Sequence, residues 1–133
     1  MKEAGIDDDT MIVFTSDNGP EKTWEGRIDE FGHHRNGSYK DGKRSIYEGG
    51  HRVPFFVRWP GGIKKQGRRY DGLVGQTDLL ATVAEIAGAT LPKNAGEDSE
   101  RFASVLLRRH SPARRSSITL PMAALRSRML IGN

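Results

Sequence analysis

Apolar residues in this chain of 133 residues gather in short runs of strand length, separated by polar and glycine-rich stretches. Residues 10–15 read Thr-Met-Ile-Val-Phe-Thr, rich in β-formers, between an aspartate cluster and Asp17-Asn18-Gly19-Pro20. A run with no polar alternate predicts a strand buried on both faces, the kind of burial found in parallel sheets. Residues 53–59 repeat the pattern and are closed by Pro60-Gly61-Gly62. From residue 77 onward Leu79, Leu80, Val83, Ile86 and Ala87 recur at helical spacing, with Thr77 placed to cap and Gly88 to end the helix at C′. Residues 98–107 suit a second short helix. Lys2-Glu3-Ala4-Gly5-Ile6 reads as the last turn of a helix stopped by glycine, too short to stand alone and so a sign of a chain that begins inside a fold. Residues 24–40 are polar, contain three glycines and show no period. A structureless connection of that length more often serves a site or a lid than packing. Beyond residue 107 the patterning is weak, and no internal repeat appears. These elements predict an α/β fold in which 10–15 and 53–59 are central strands of a mostly parallel sheet, with helix 77–87 across one face.

Composition narrows the function classes. The length is that of one domain, which buries roughly two-thirds of its extended-chain surface. Cysteine is absent, so thiolate nucleophiles, thiolate metal sites and disulfides are excluded. The net charge of +4 is concentrated late, where Arg101, Arg108, Arg109, Arg114, Arg115, Arg126 and Arg128 crowd the last third. Such a surplus attracts anions, but no zinc-finger spacing, RNP-like aromatic pair or basic zipper accompanies it, so a nucleic-acid partner is not expected. No run approaches 18 apolar residues, and residues 1–9 are polar, so neither a membrane span nor a signal peptide is expected.

The candidate chemistry begins where the first strand ends. Asp17 and Asn18 set a carboxylate beside an amide carbonyl, two hard oxygen donors suited to Ca²⁺ or Mg²⁺; an ordinary Asx-turn is the competing use of the same pair. Lys43, after Gly42, suits either an anion or plain solvation. His33 and His34 sit in the long connection with Arg35, Asn36 and Lys40, a polar rim that suits an anionic ligand, against the alternative of solvated loop residues. Trp24 suits stacking on a ligand ring or capping the core.

Taken in order, Phe14-Thr15-Ser16-Asp17-Asn18-Gly19, Gly42-Lys43, Tyr47-Glu48-Gly49-Gly50-His51-Arg52-Val53-Pro54, Trp59-Pro60-Gly61 and Gln76-Thr77-Asp78-Leu79-Leu80-Ala81-Thr82 resemble the sulfatase family, of the arylsulfatase type within the alkaline phosphatase superfamily. The match runs over residues 10–104 and resembles the C-terminal part of the catalytic domain. The resemblance implies sulfuric ester hydrolysis on an aryl sulfate or, more in keeping with the polar rim, a sulfated carbohydrate. It gives Asp17 and Asn18 as ligands of Ca²⁺ and Lys43 as the catalytic lysine on the sulfate ester oxygen. It places Gly49, Gly50 and Arg52 in the bend that follows, and His33 and His34 among substrate-facing positions. It also implies periplasmic, extracellular or lysosomal surroundings. Residues 1–107 are then a partial catalytic domain and 108–133 a basic C-terminal segment.

The departures matter as much. The family makes a formylglycine from the Cys or Ser of a Cys/Ser-x-Pro-x-Arg segment, and no such segment is present: Ser111-Pro112-Ala113-Arg114 has the wrong order. The family's paired N-terminal aspartates are also missing, so Asp17 and Asn18 supply two donors where Ca²⁺ takes six to eight. Ca²⁺ binding no tighter than about millimolar is expected, with Asp29 and Glu48 as the first suspects should it prove tighter. The tail, residues 119–133, only loosely suggests the family's closing strand. Two other classes stay open: a non-catalytic remnant that binds anions or a partner, and a two-metal phosphatase-like hydrolase, for which His33 and His34 stand too close together. An uncovered sheet edge predicts self-association or pairing with a missing N-terminal half.

Overall fold

A computed structural model describes residues 1–21, 23–107 and 128–131, and for residues 24, 25 and 128–130 the backbone only. The elements in chain order are β1 (Ile12–Thr15), α1 (Trp24–Phe31), α2 (Glu48–His51), β2 (Pro54–Arg58), β3 (Arg68–Tyr70), α3 (Asp78–Ile86), α4 (Ala103–Leu107) and β4 (Arg128–Ile131). The four strands form one sheet in the order β1-β2-β4-β3. The expectation of a mostly parallel sheet is overturned: β1 pairs antiparallel with β2, β3 pairs antiparallel with β4, and only β2 and β4 run parallel. Apolar composition does not encode strand direction; the point where the chain re-enters the sheet does. Gly19 N–H donates to Gly50 O at 2.8 Å, so β2 begins where β1 ends and runs back beside it, Thr15 opposite Phe55 and Ile12 opposite Arg58.

Nor is β1 central. It lies at the sheet edge, and its burial alternates: Phe14 is 67% and Ile12 38% exposed, while Met11 and Val13 pack against the core. Phe14 meets its cross-strand neighbour Phe56, ring centroids 6.0 Å apart. The opposite face carries the core: Phe55, Val57 and Ile131 of the sheet close on Ile63, Val74, Phe102 and Leu106, with Phe102 edge-on to Phe55. One apolar run thus serves a buried and an exposed face.

The predicted helices are present with shorter bounds. α3 ends in a Schellman motif: Gly88 has φ 67°, its N–H donates to Glu85 O, and Ala89 N–H donates to Ala84 O. Thr77, expected to cap, makes no side-chain capping bond; Asp78 at the helix start instead ties in flanking segments, its two carboxylate oxygens accepting from Gly75 N–H and Glu100 N–H. Ser99 Oγ and the fully buried Thr82 Oγ1, which accepts from Phe102 N–H at 3.1 Å, tie the α4 segment to α3. The same 5→2 and 6→1 bonds appear at Gly5 N–H to Lys2 O and Ile6 N–H to Met1 O, the expected helix-ending turn. The expectation that 24–40 is structureless is corrected by α1, closed by Gly32 at φ 62°. Trp24, Ile28 and Phe31 do hold helical spacing, but Gly26 and the four polar residues of the helix hide it. Of the basic tail, β4 lies within the sheet between β2 and β3; Arg108, Arg109, Arg114 and Arg115 lie outside the described residues.

Candidate active site

The C-terminal end of β1 meets α2 and the loop before it at a junction of glycines. Gly19 approaches Gly49 so closely that a Cβ on Gly19 would overlap the Gly49 carbonyl. A Cβ on Gly49 would overlap the Asp41 and Lys40 carbonyls, and one on Gly50 those of Ser45 and Gly42. Three backbone segments therefore pass within contact distance, and only hydrogen side chains fit between them. Gly49 N–H donates to Lys40 O at 2.9 Å and Lys43 N–H to Pro20 O at 2.8 Å, completing the weave. This explains the Glu48-Gly49-Gly50 sequence, and it fixes residues 17–20 relative to residues 40–50.

The turn that carries Asp17 and Asn18 is closed by its neighbours. Ser16 Oγ donates to Asn18 O at 2.9 Å, and the Gln76 side-chain amide donates to Ser16 O. Among the described residues no hydrogen bond or ion pair engages the Asp17 carboxylate or the Asn18 side-chain amide. The Asx-turn alternative would have spent one of them on the backbone. Both instead line an open cleft of about 310 Å³ with Ser16, Gly19, Pro20, Arg35, Asn36, Gly49, Arg52, Val53 and Pro54. Two hard oxygen donors facing one cleft fit part of a Ca²⁺ shell, and no group of three or more His, Cys, Asp or Glu completes it among the described residues. Asp29 and Glu48 do not join them in such a group, and Glu48 accepts from Arg52 at 2.5 Å.

Lys43 is not among the residues lining the cleft; its ammonium lies 3.7 Å from Glu21, which also accepts from Arg44. His33 and His34 are exposed just after α1 and do not line the cleft either. The two residues that follow them do. Asn36 Nδ2 donates to Tyr39 O at 2.8 Å and to Asp41 O, locking the loop whose Asp41 has φ 65°. Lys40 lies 3.8 Å over the Tyr47 ring and the Arg52 guanidinium 4.6 Å over Tyr39. The Trp24 side chain lies outside the described residues. Gln76 is the residue whose role sequence reasoning missed: it belongs to the recognised motif, but nothing in its type marks it as the clamp on Ser16.

The family model described as Sulfatase matches residues 1–89. An N-acetylgalactosamine-6-O-sulfatase of Bacteroides thetaiotaomicron is 38% identical over 106 residues, 77% of this chain and 20% of that protein. The human steryl-sulfatase is 39% identical over 94 residues, 71% of this chain and 16% of that protein. A solved structure from work on the metabolism of multiple glycosaminoglycans by Bacteroides thetaiotaomicron superposes with a TM-score of 0.66 at 36% identity, covering 80% of this chain and 23% of that one. The chain thus spans about a fifth of the length of such relatives.

Proposed function

The chain belongs to the sulfatase family, and on that premise we propose that it carries part of the active site of a sulfuric ester hydrolase acting on sulfated carbohydrate. The observation that carries the reading is the cleft in which the Asp17 and Asn18 side chains stand without partners among the described residues, on a turn bonded to the backbone of Lys43. Asp17 and Asn18 would hold Ca²⁺ as two of its donors, the remainder coming from beyond the described residues. The ion would supply Lewis-acid neutralisation of charge on the ester oxygens. Lys43 is tethered by its backbone, while its side chain, 39% exposed, pairs with Glu21. An exposed pair of that kind is worth at most about 1 kcal/mol, so the ammonium can exchange Glu21 for an ester oxygen, a charge-assisted contact. His33 and His34, exposed and next in the chain to the cleft-lining Arg35 and Asn36, would serve as contacts for the sugar. Neither cysteine nor a Cys/Ser-x-Pro-x-Arg segment occurs in these residues, so they orient the ester and do not attack it.

The N-acetylgalactosamine-6-O-sulfatase likeness supports an amino sugar sulfate as the first ligand to try. Titrating the chain with that sulfated monosaccharide and with its unsulfated parent, with Ca²⁺ and with chelator, tests the reading. Ca²⁺-dependent binding of the sulfated sugar alone, weakened in Lys43→Ala, and no turnover of a chromogenic aryl sulfate are expected. Equal binding of both sugars, or lysine-dependent turnover, overturns it. The missing nucleophile favours one other reading, a non-catalytic anion-binding module, which would bind the sulfated sugar equally well in chelator.

A further inference from the structure

The guanidinium of Arg35 has no partner among the described residues. The cleft that holds Asp17 and Asn18 is lined by two cationic side chains, Arg35 and Arg52. Arg52 is spent: it donates to Glu48 and lies over the Tyr39 ring. Of the nearby cations outside the cleft, Arg44 and Lys43 pair with Glu21, Lys43 at 3.7 Å and reserved above for the ester oxygen, and Lys40 lies over the Tyr47 ring. Among the described residues no ion pair, hydrogen bond or ring contact engages the Arg35 side chain. Its backbone is nevertheless held in place. Gly37 N–H donates to His34 O, Asn36 clamps Tyr39 O and Asp41 O, and Gly49 N–H joins Lys40 O, which couples this loop to the Asp17 turn through Gly19. A guanidinium with no carboxylate partner among the described residues, on a loop whose backbone is pinned and lining the same cleft as Asp17 and Asn18, is an anion receptor by its chemistry.

Resting on the reading of the cleft given above, we infer that Arg35 is a specificity-determining residue that binds a second anionic substituent of the saccharide. The site therefore selects dianionic sugars, those with a carboxylate or another sulfate in addition to the ester being held. Both substituents present planar or tripodal oxygens that a guanidinium engages with two N–H groups, so one receptor serves either.

The test is a set of affinities measured by calorimetry on the intact chain with Ca²⁺. The probes are a singly sulfated disaccharide, the same disaccharide with a uronic carboxylate, that carboxylate as its methyl ester, and a doubly sulfated form. The two dianions are expected to bind about tenfold tighter than the singly charged probes, the factor that corresponds to 1.4 kcal/mol. Arg35→Gln should erase that advantage and leave the affinity for the singly sulfated probe unchanged, and Arg35→Lys should keep part of it. Arg27→Gln, which removes an exposed arginine from α1 away from the cleft, should change nothing. A stronger gain from only one dianion identifies which substituent Arg35 takes. Equal affinity for all probes, or an equal loss for all in Arg35→Gln, overturns the assignment while leaving the cleft reading intact. Absence of binding by every probe overturns both.

Discussion

Replacing Gly49 with alanine separates the demands of the junction from ordinary helix chemistry. The added Cβ would fall within 3.0 Å of the carbonyls of both Asp41 and Lys40, a distance that real Cβ atoms essentially never show. Both obstacles are backbone, so neither can swing aside. Relief requires the 40–41 segment to back away, which breaks Gly49 N–H to Lys40 O at 2.9 Å. Overpacking costs about 1–3 kcal/mol, and a lost backbone bond about 1 kcal/mol more. A destabilisation of about 3 kcal/mol is expected, a factor of over a hundred in the folded-to-unfolded ratio. Gly88→Ala is the control. Its Cβ would meet nothing within 4 Å, so the cost is that of φ 67° alone, about 1 kcal/mol. Urea unfolding of the two variants, compared at equal slope, reads the difference directly. A Gly49→Ala cost no larger than that of Gly88→Ala would refute the three-segment crossing.

Two further outcomes follow from contacts elsewhere. The hydrogen bonds from Arg58, at 3.0 and 2.8 Å, hold the Asp7 carboxyl below the usual carboxylate range despite the opposing effect of burial. A carboxyl lowered on folding stabilises above its unfolded pKa and loses that contribution as pH falls through the folded one. Melting temperatures between neutral and strongly acid pH should therefore drop less steeply in Asp7→Asn than in the parent, and parallel curves would contradict the pairing. Phe14, 67% exposed beside Phe56, makes the outer sheet face sticky. Sedimentation of Phe14→Ser should show less self-association than the parent, and unchanged behaviour would place the association elsewhere.

Much of the fold is legible from local chemistry. Helix α3 and its glycine stop are readable because the apolar spacing and the left-handed C′ position are local requirements that tertiary structure left standing. Strand direction is not local. The runs at 10–15 and 53–59 look alike, yet their antiparallel pairing depends on Gly19 meeting Gly50 across some thirty residues of loop and helix. Burial of β1 is equally non-local, since Phe14 is as apolar as Phe55 and only neighbours decide which is covered. At the site, Asp17 and Asn18 could be singled out from residue type and position, and the structure places both on one cleft. Lys43 is identifiable by motif, but its pairing with Glu21 is not, because an ion pair with a residue so far back along the chain leaves no mark on local sequence. Arg35 shows the converse: its importance rests on what surrounding cations already do, which no single position reveals.

Whether Asp17 and Asn18 bind a divalent cation is best measured by titrating the ¹⁵N-labelled chain with Ca²⁺ and following its amide resonances. Shifts concentrated at residues 16–19, saturating with a dissociation constant of about millimolar as a two-donor site requires, and lost in Asp17→Ala, are the expected result. Shifts that avoid residues 16–19, or that persist unchanged in Asp17→Ala, would contradict the cation-binding role on which the sulfatase reading of this cleft depends.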